Sequence, residues 1–171
     1  DGLDLFGPAE VFSEAVLRLG EPAYDVVVAA LGGGLIALTS GVSVAAADLA
    51  SIRPRPTDIV LVAGGSDTAT DTAAADQALV AWLARAARTV ARIGSVCDGA
   101  FIVASAGILD GRRAATHWSS CERLARLHPK VRVDSEAIFV RDGRVWTAAG
   151  VSTGIDMALA MVEEDHGRKL A

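Results

Sequence analysis

The sequence predicts an α/β protein with a doubly wound, mostly parallel sheet sandwiched by helices. Two observations carry that expectation. Short apolar runs rich in β-branched residues, Tyr24–Leu31, Ile59–Ala63 and the run entering Cys97, alternate with segments of helical periodicity. Two of these runs end in residues suited to chemistry, Gly64-Gly65 and Cys97, as strand ends on one rim of a parallel sheet do.

In chain order, Asp1–Pro8 reads as a strand-to-helix junction, with Gly7-Pro8 as the helix start and proline at the first helical position. The helix is expected to run to about Gly20, with Val11, Phe12, Ala15, Val16 and Leu17 on its apolar face. Tyr24–Leu31 reads as a strand buried on both faces. Gly32-Gly33-Gly34 breaks it but lacks GxGxxG spacing and a Walker lysine, which argues against a phosphate loop. Leu35–Leu38 and Val42–Ala45 then form a small hairpin that decorates the sheet.

After the Ile59–Ala63 strand and its Gly64-Gly65 turn, one long helix is expected from Thr72 to Arg88, with Ala78, Leu79, Trp82, Leu83 and Ala86 buried. Arg92 to Ala104 reads as strand, sharp turn and helix, with Cys97 at the apex. Ser95 two before and Gly99 two after are small, as a nucleophile elbow requires. The start of a helix favours thiolate over thiol. Spacing alone equally allows Cys97 to be a small buried hydrophobe.

Ala114–Trp118 reads as a short strand, and Ser119 with Glu122 as a capping box for a helix carrying Cys121, Leu124 and Leu127. Cys121 is read as structural, and His128 as an ordinary residue of an exposed turn. Asp142-Gly143 marks a hairpin, and Ala148–Gly154 leads into a closing helix, Ile155–Glu164, that ends near His166-Gly167. The small residues of that lead, Gly150 among them, suit close packing beside the elbow or a ligand.

Composition bounds the function. The 171 residues are 51% hydrophobic and 5% aromatic, enough for one domain with an aliphatic core. A net charge of −5 with no Lys/Arg cluster leaves no footprint for direct nucleic-acid binding. Two cysteines without CxxC or His/Cys ligand spacing give neither a disulfide framework nor a zinc site, and fit a reducing cytoplasm. No apolar run approaches the ~20 residues of a membrane span. The start at Asp1 and the end inside a helical pattern lead us to expect a single domain, 1–171, truncated at both ends.

Leu3–Phe12, Val62–Gly65, Ser95–Ala100, Leu109–Trp118 and Ala149–Val151 together resemble the DJ/PfpI superfamily, of flavodoxin-like, class I glutamine amidotransferase-like fold. Thr116-His117-Trp118 and the Val145-Trp146-Thr147…Glu163–Gly167 ending are its most specific marks, and the likeness spans nearly the whole chain. Within the superfamily the chain looks most like the amino-terminal domain of AraC-type regulators, with isonitrile hydratases the nearest enzymes. The resemblance implies a strand before Asp1 and further helix beyond Ala171.

It also implies Cys97 as elbow nucleophile, Asp4 as the carboxyl group approaching its sulfur, and His117 as an acid–base partner. The amides of Gly65 and Asp98 would form an oxyanion hole, with Gly64 and Gly150 on the same ligand rim. A protonated Asp4 donating to the thiolate would make the two acids a coupled pair. Peptidase-like relatives place histidine after the cysteine, and isonitrile hydratases threonine. Asp98 stands there in this chain, and raises the thiol pKa unless it points outward. The implied function is a ligand- or redox-sensing domain of an AraC-family regulator, with a stand-alone cysteine enzyme such as an isonitrile hydratase as the alternative. No cofactor, metal or membrane is implied. The expected partners are a small-molecule ligand, a second copy in a homodimer, and DNA only through a helix-turn-helix module absent from this chain.

Overall fold

A computed structural model describes residues 1–171. In chain order the elements are α1 (Gly2–Leu19), β1 (Ala29–Ala30), β2 (Gly34–Ala37), β3 (Ser43–Asp48), β4 (Ile59–Val62), α2 (Asp67–Ala75), α3 (Gln77–Ala86) and β5 (Arg92–Val96). There follow α4 (Gly99–Ser105), β6 (Arg113–Ala114), α5 (Cys121–Leu127), β7 (Arg132–Val133), β8 (Phe139–Asp142), β9 (Val145–Ala148) and α6 (Thr153–His166).

The central sheet has the order β4-β5-β9-β8. β4, β5 and β9 are parallel, and β8 runs antiparallel to β9. Alternation along the strands sends side chains into two cores. Ile93 and Val145 join Trp82, Leu83, Phe101, Val103 and Leu124 under α3, α4 and α5. Val96 and Trp146 join Phe12, Ala15, Met157 and Met161 under α1 and α6. Helices on both faces are the doubly wound arrangement expected. At the base of β5, Arg92 forms two hydrogen bonds to Asp165 of α6, 2.9 and 2.5 Å, and Tyr24 Oη donates to the same carboxylate.

Several local readings change. α1 begins at Gly2, so Gly7-Pro8 lies inside the helix. Proline there removes one backbone donor, and the pair instead serves contact with α6: a Cβ on Gly7 would come 2.9 Å from Ile155, and Pro8 packs on Gly154. The long helix from Thr72 is two helices, because the Asp76 carboxylate accepts from the amides of Ala78 and Leu79 and starts α3 anew. Ala78 consequently faces solvent.

In the Tyr24–Leu31 run only Ala29–Ala30 is paired, parallel to β3. Within residues 1–171, Val26 and Val27 are 42% and 57% exposed rather than buried, and no strand of this segment pairs with them or with the outer edge of β4. The expected hairpin is present as β2 and β3, which form a separate sheet with β1. Ser119 caps nothing. Trp118–Ser120 form a turn of 3₁₀ helix, and Ser119 Oγ pairs with His117 Nδ1 at 2.7 Å. The two-residue hairpin loop is Gly143-Arg144, one residue later than expected, with Gly143 at φ +64 in the position where a II′ loop takes glycine.

The sheet tolerates no side chain at Gly94, where a Cβ would overlap the Trp146 carbonyl oxygen at 1.7 Å. Gly94→Ala is expected to cost about 3 kcal/mol or more by forcing β5 and β9 apart. Gly107→Ala, with open space but a φ of +72, is expected to lose only about 1–2 kcal/mol. Urea unfolding of the two variants measures the difference.

Candidate functional site

β5 ends in a left-handed residue. Cys97 has φ +57 and is the one non-glycine residue of the chain with positive φ. Backbone contacts hold it there: the Cys97 amide donates to Ala148 O at 3.0 Å, and its carbonyl accepts from the Ala100 amide at 3.3 Å. A Cβ on Gly99 would come 2.2 Å from Val62 O, so only glycine lets α4 start this close to β4. A Cβ on Gly64 would meet the Asp98 nitrogen at 2.8 Å, Asp4 Oδ2 at 3.0 Å and Cys97 Cβ at 3.1 Å. Those distances place Cys97, Asp4, Gly64 and Asp98 at one point on the carboxyl edge of the sheet.

The site is closed and acidic. Asp4 is 2% exposed, Cys97 4% and Asp98 7%, and no lysine, arginine or histidine pairs with either carboxyl group. Both Asp4 oxygens lack a well-formed hydrogen bond; the Gly64 amide and the Cys97 thiol face them loosely. Burial, more than any other cause, raises the Asp4 pKa, and the Asp98 charge adds to it. The Gly64 amide acts in the opposite direction. Burial also pushes the Cys97 thiol up to about 12, with Asp4 the next cause and Asp98 a smaller one. The Asp98 amide, aimed at the sulfur, opposes this and is outweighed. The thiolate expected from a helix start is therefore not the resting form. The folded protein holds a neutral thiol beside a carboxyl that is also driven toward its neutral form.

Three amides border the cysteine. The amides of Gly64, Gly65 and Asp98 donate to no oxygen of the protein. Gly150 offers no such donor, because its N–H and C=O are both engaged by Thr153 Oγ1, at 2.8 and 2.7 Å. It borders His117 instead, whose Cδ2 would lie 3.6 Å from a Cβ at Gly150. His117 makes no hydrogen bond to Cys97, its Nδ1 being paired with Ser119. Trp118 beside it is 78% exposed. Cys121 is buried, and its thiol lies 3.6 Å from His117 O. A groove of about 650 Å³ runs elsewhere, between α1 and α6.

One residue of the site escaped the sequence reading. Thr116, 1% exposed, places its hydroxyl 3.1 Å from Cys97 O and 3.3 Å from Asp98 Oδ1. Its position directly before His117 in the Thr116-His117-Trp118 motif was the available signal. Asp1, Asp4 and Cys97 each bring a donor atom within 4.8 Å of the others. With the carboxyl and thiol pKa values of Asp4 and Cys97 both raised, this is a poor ligand set for a cation.

Residues 1–164 match the DJ-1/PfpI family. The HTH-type transcriptional regulator GlxA of Rhizobium meliloti is 37% identical over 163 residues, which are 95% of this chain and 49% of that protein. The chain thus spans about half the length of that regulator. The isonitrile hydratase of Pseudomonas putida is 28% identical over 95% of this chain and 66% of its own. Among solved structures, a ThiJ/PfpI family protein from Pseudomonas syringae superposes with a TM-score of 0.82 and 31% identity, covering 96% of this chain and 64% of that one.

The raised Asp4 pKa has a consequence for stability. Above the ordinary carboxyl value of 3.8, the unfolded chain releases this proton while the folded one retains it. Ionising Asp4 therefore costs the folded state, and stability falls as pH rises from about 4 toward the folded pKa. Asp4→Asn is expected to flatten that decline and to raise the melting temperature at neutral pH. Thermal melts across the pH range read both effects.

Proposed function

The chain belongs to the DJ-1/PfpI family, and from that premise we propose that it is the ligand- or redox-sensing domain of an AraC-type transcriptional regulator. The likeness to GlxA, 37% identity over 95% of this chain, carries the reading. In it, DNA is contacted by a helix-turn-helix module in another part of the protein, the domain acts as a homodimer, and the compartment is the reducing cytoplasm. The acidic balance of this segment, net −5, fits a domain that leaves DNA to another module.

The chemistry of the site supports sensing over turnover. A sensor needs only a ligand with different affinity for two states of the domain. It can keep the elbow and its bordering amides without a resting thiolate. An oxidant would act on Cys97 itself, and a small molecule on the amides of Gly64, Gly65 and Asp98. In the full-length protein, Cys97→Ser is expected to abolish the hydrogen-peroxide-dependent or effector-dependent change in operator binding while leaving the fold intact. A gel-shift titration showing an unchanged response would refute a sensing role for the cysteine.

The second reading is a stand-alone hydratase, favoured by the 28% identity to an isonitrile hydratase over 95% of the chain. In that chemistry water adds across the terminal carbon of an isonitrile to give an N-substituted formamide. Cys97→Ala and Asp4→Asn are then expected each to abolish turnover, and Asp98→Thr to raise it. A panel of isonitriles yielding no formamide, followed by chromatography, disposes of this reading.

A further inference from the structure

Asp98 is the residue that sets this elbow apart, and its side chain has a single hydrogen-bond partner. It starts α4 without capping it, since its carboxylate accepts from no amide of that helix. Thr116 Oγ1, 3.3 Å from Asp98 Oδ1, is that partner. The same hydroxyl lies 3.1 Å from the carbonyl oxygen of Cys97. A threonine hydroxyl has one proton, so a single donor is shared between the left-handed cysteine and the carboxylate that follows it. Thr116 reaches the elbow from a different segment, the stretch between β6 and α5. That stretch is fixed in turn by the Ala115 amide, which donates to Thr147 Oγ1 of β9 at 2.8 Å. Thr116 is 1% exposed, so water does not compete for this proton.

We propose that Thr116 is a positioning residue that holds the Asp98 carboxylate inward at the Cys97 elbow and so restrains the reactivity of the thiol. The inference rests on Cys97 being the reactive group of the proposed function, but not on DNA binding or on any substrate. The titratable side chains facing Cys97 are Asp4 of α1 and Asp98 on its own turn. From the α5 side, the Cys121 thiol faces Asp98. No lysine or arginine on the packed elements pairs with Asp98. With no cation to hold it, the carboxylate is free to swing to solvent once the hydroxyl is removed. The Asp98 charge raises the Cys97 pKa; moving it away lowers that pKa and increases the thiolate fraction at a given pH.

The test is the rate of Cys97 alkylation by iodoacetamide as a function of pH in the full-length protein, read on the Cys97 peptide by mass spectrometry so that this thiol alone reports. Thr116→Val, which keeps the shape and removes the hydroxyl, is expected to alkylate about threefold faster below the thiol pKa, as half a pKa unit gives. Asp98→Asn is expected to do the same. Thr116→Ser, which restores the donor, returns the rate to that of the parent. The double variant T116V/D98N is expected to match D98N alone, because both changes remove one interaction.

An unchanged pH profile for T116V overturns the proposal. So does a T116V acceleration that persists on the D98N background, since that shows general loosening of the elbow. If circular dichroism finds T116V unfolded, the same comparisons with Thr116→Ala decide it. Alkylation is read without DNA or effector, so a failed regulator assay leaves this result standing, and a flat alkylation profile leaves the regulator reading standing.

Discussion

Gly99 meets the backbone of β4 so closely that a Cβ would lie 2.2 Å from Val62 O. α4 can therefore begin only where it does, one residue beyond Asp98. The chain must turn from β5 into that helix within two residues, and it does so by putting Cys97 at φ +57. A left-handed non-glycine residue costs about 1–2 kcal/mol, and such strain persists where the surroundings over-determine it. Here the amide of Cys97 is fixed to β9, its carbonyl to Ala100 and Thr116, and the strand before it is buried on both faces. The cysteine's place follows from backbone packing on both sides.

α1 brings the second half of the site by a similar route. Gly7 and Pro8 contact Ile155 and Gly154 at the start of α6, and a Cβ at Gly154 would come 2.9 Å from Val96, the residue before the cysteine. The helix that carries Asp4 and the strand that carries Cys97 thus share one support. The same small residues that let these backbones approach also exclude water, and exclusion of water is the leading reason that the Asp4 and Cys97 pKa values rise. Close packing and suppressed ionisation have one origin.

The architecture and the elbow were legible in the sequence because both depend on local pattern: apolar runs for parallel strands, small residues around Cys97, glycines at the end of β4. What was not legible depends on neighbours far away in the chain. The exposure of Val26 and Val27 reflects which strands lie beside them, and periodicity carries no such information. Asp76 divides a helix that composition alone would continue. Local pattern puts Asp4 in a strand-to-helix junction and only the family resemblance sets it beside the cysteine; in the structure it lies in the first turn of α1. Ser119 has the residue type and spacing of a cap, but the 3₁₀ turn gives its hydroxyl to His117 instead. For the charge state of Cys97, helix position argued for thiolate and burial for thiol, and only the folded geometry shows that burial wins.

That outcome bears on the choice between catalysis and sensing. With the thiol pushed up to about 12, the thiolate is a small minority form at pH 7. A nucleophilic step would then need a base to take the thiol proton as the bond forms. His117 makes no hydrogen bond to the sulfur, and Asp4 can accept only in its ionised form, which its own burial disfavours. An enzyme with this resting state must gain its base when substrate enters, through a change in the positions of α1 or Asp98. A sensor needs that same change for its output and nothing more, because differential contact with the occupant is sufficient to shift the domain between states. The conformational step that an enzyme would have to add before its chemistry is, for a regulator, the signal itself.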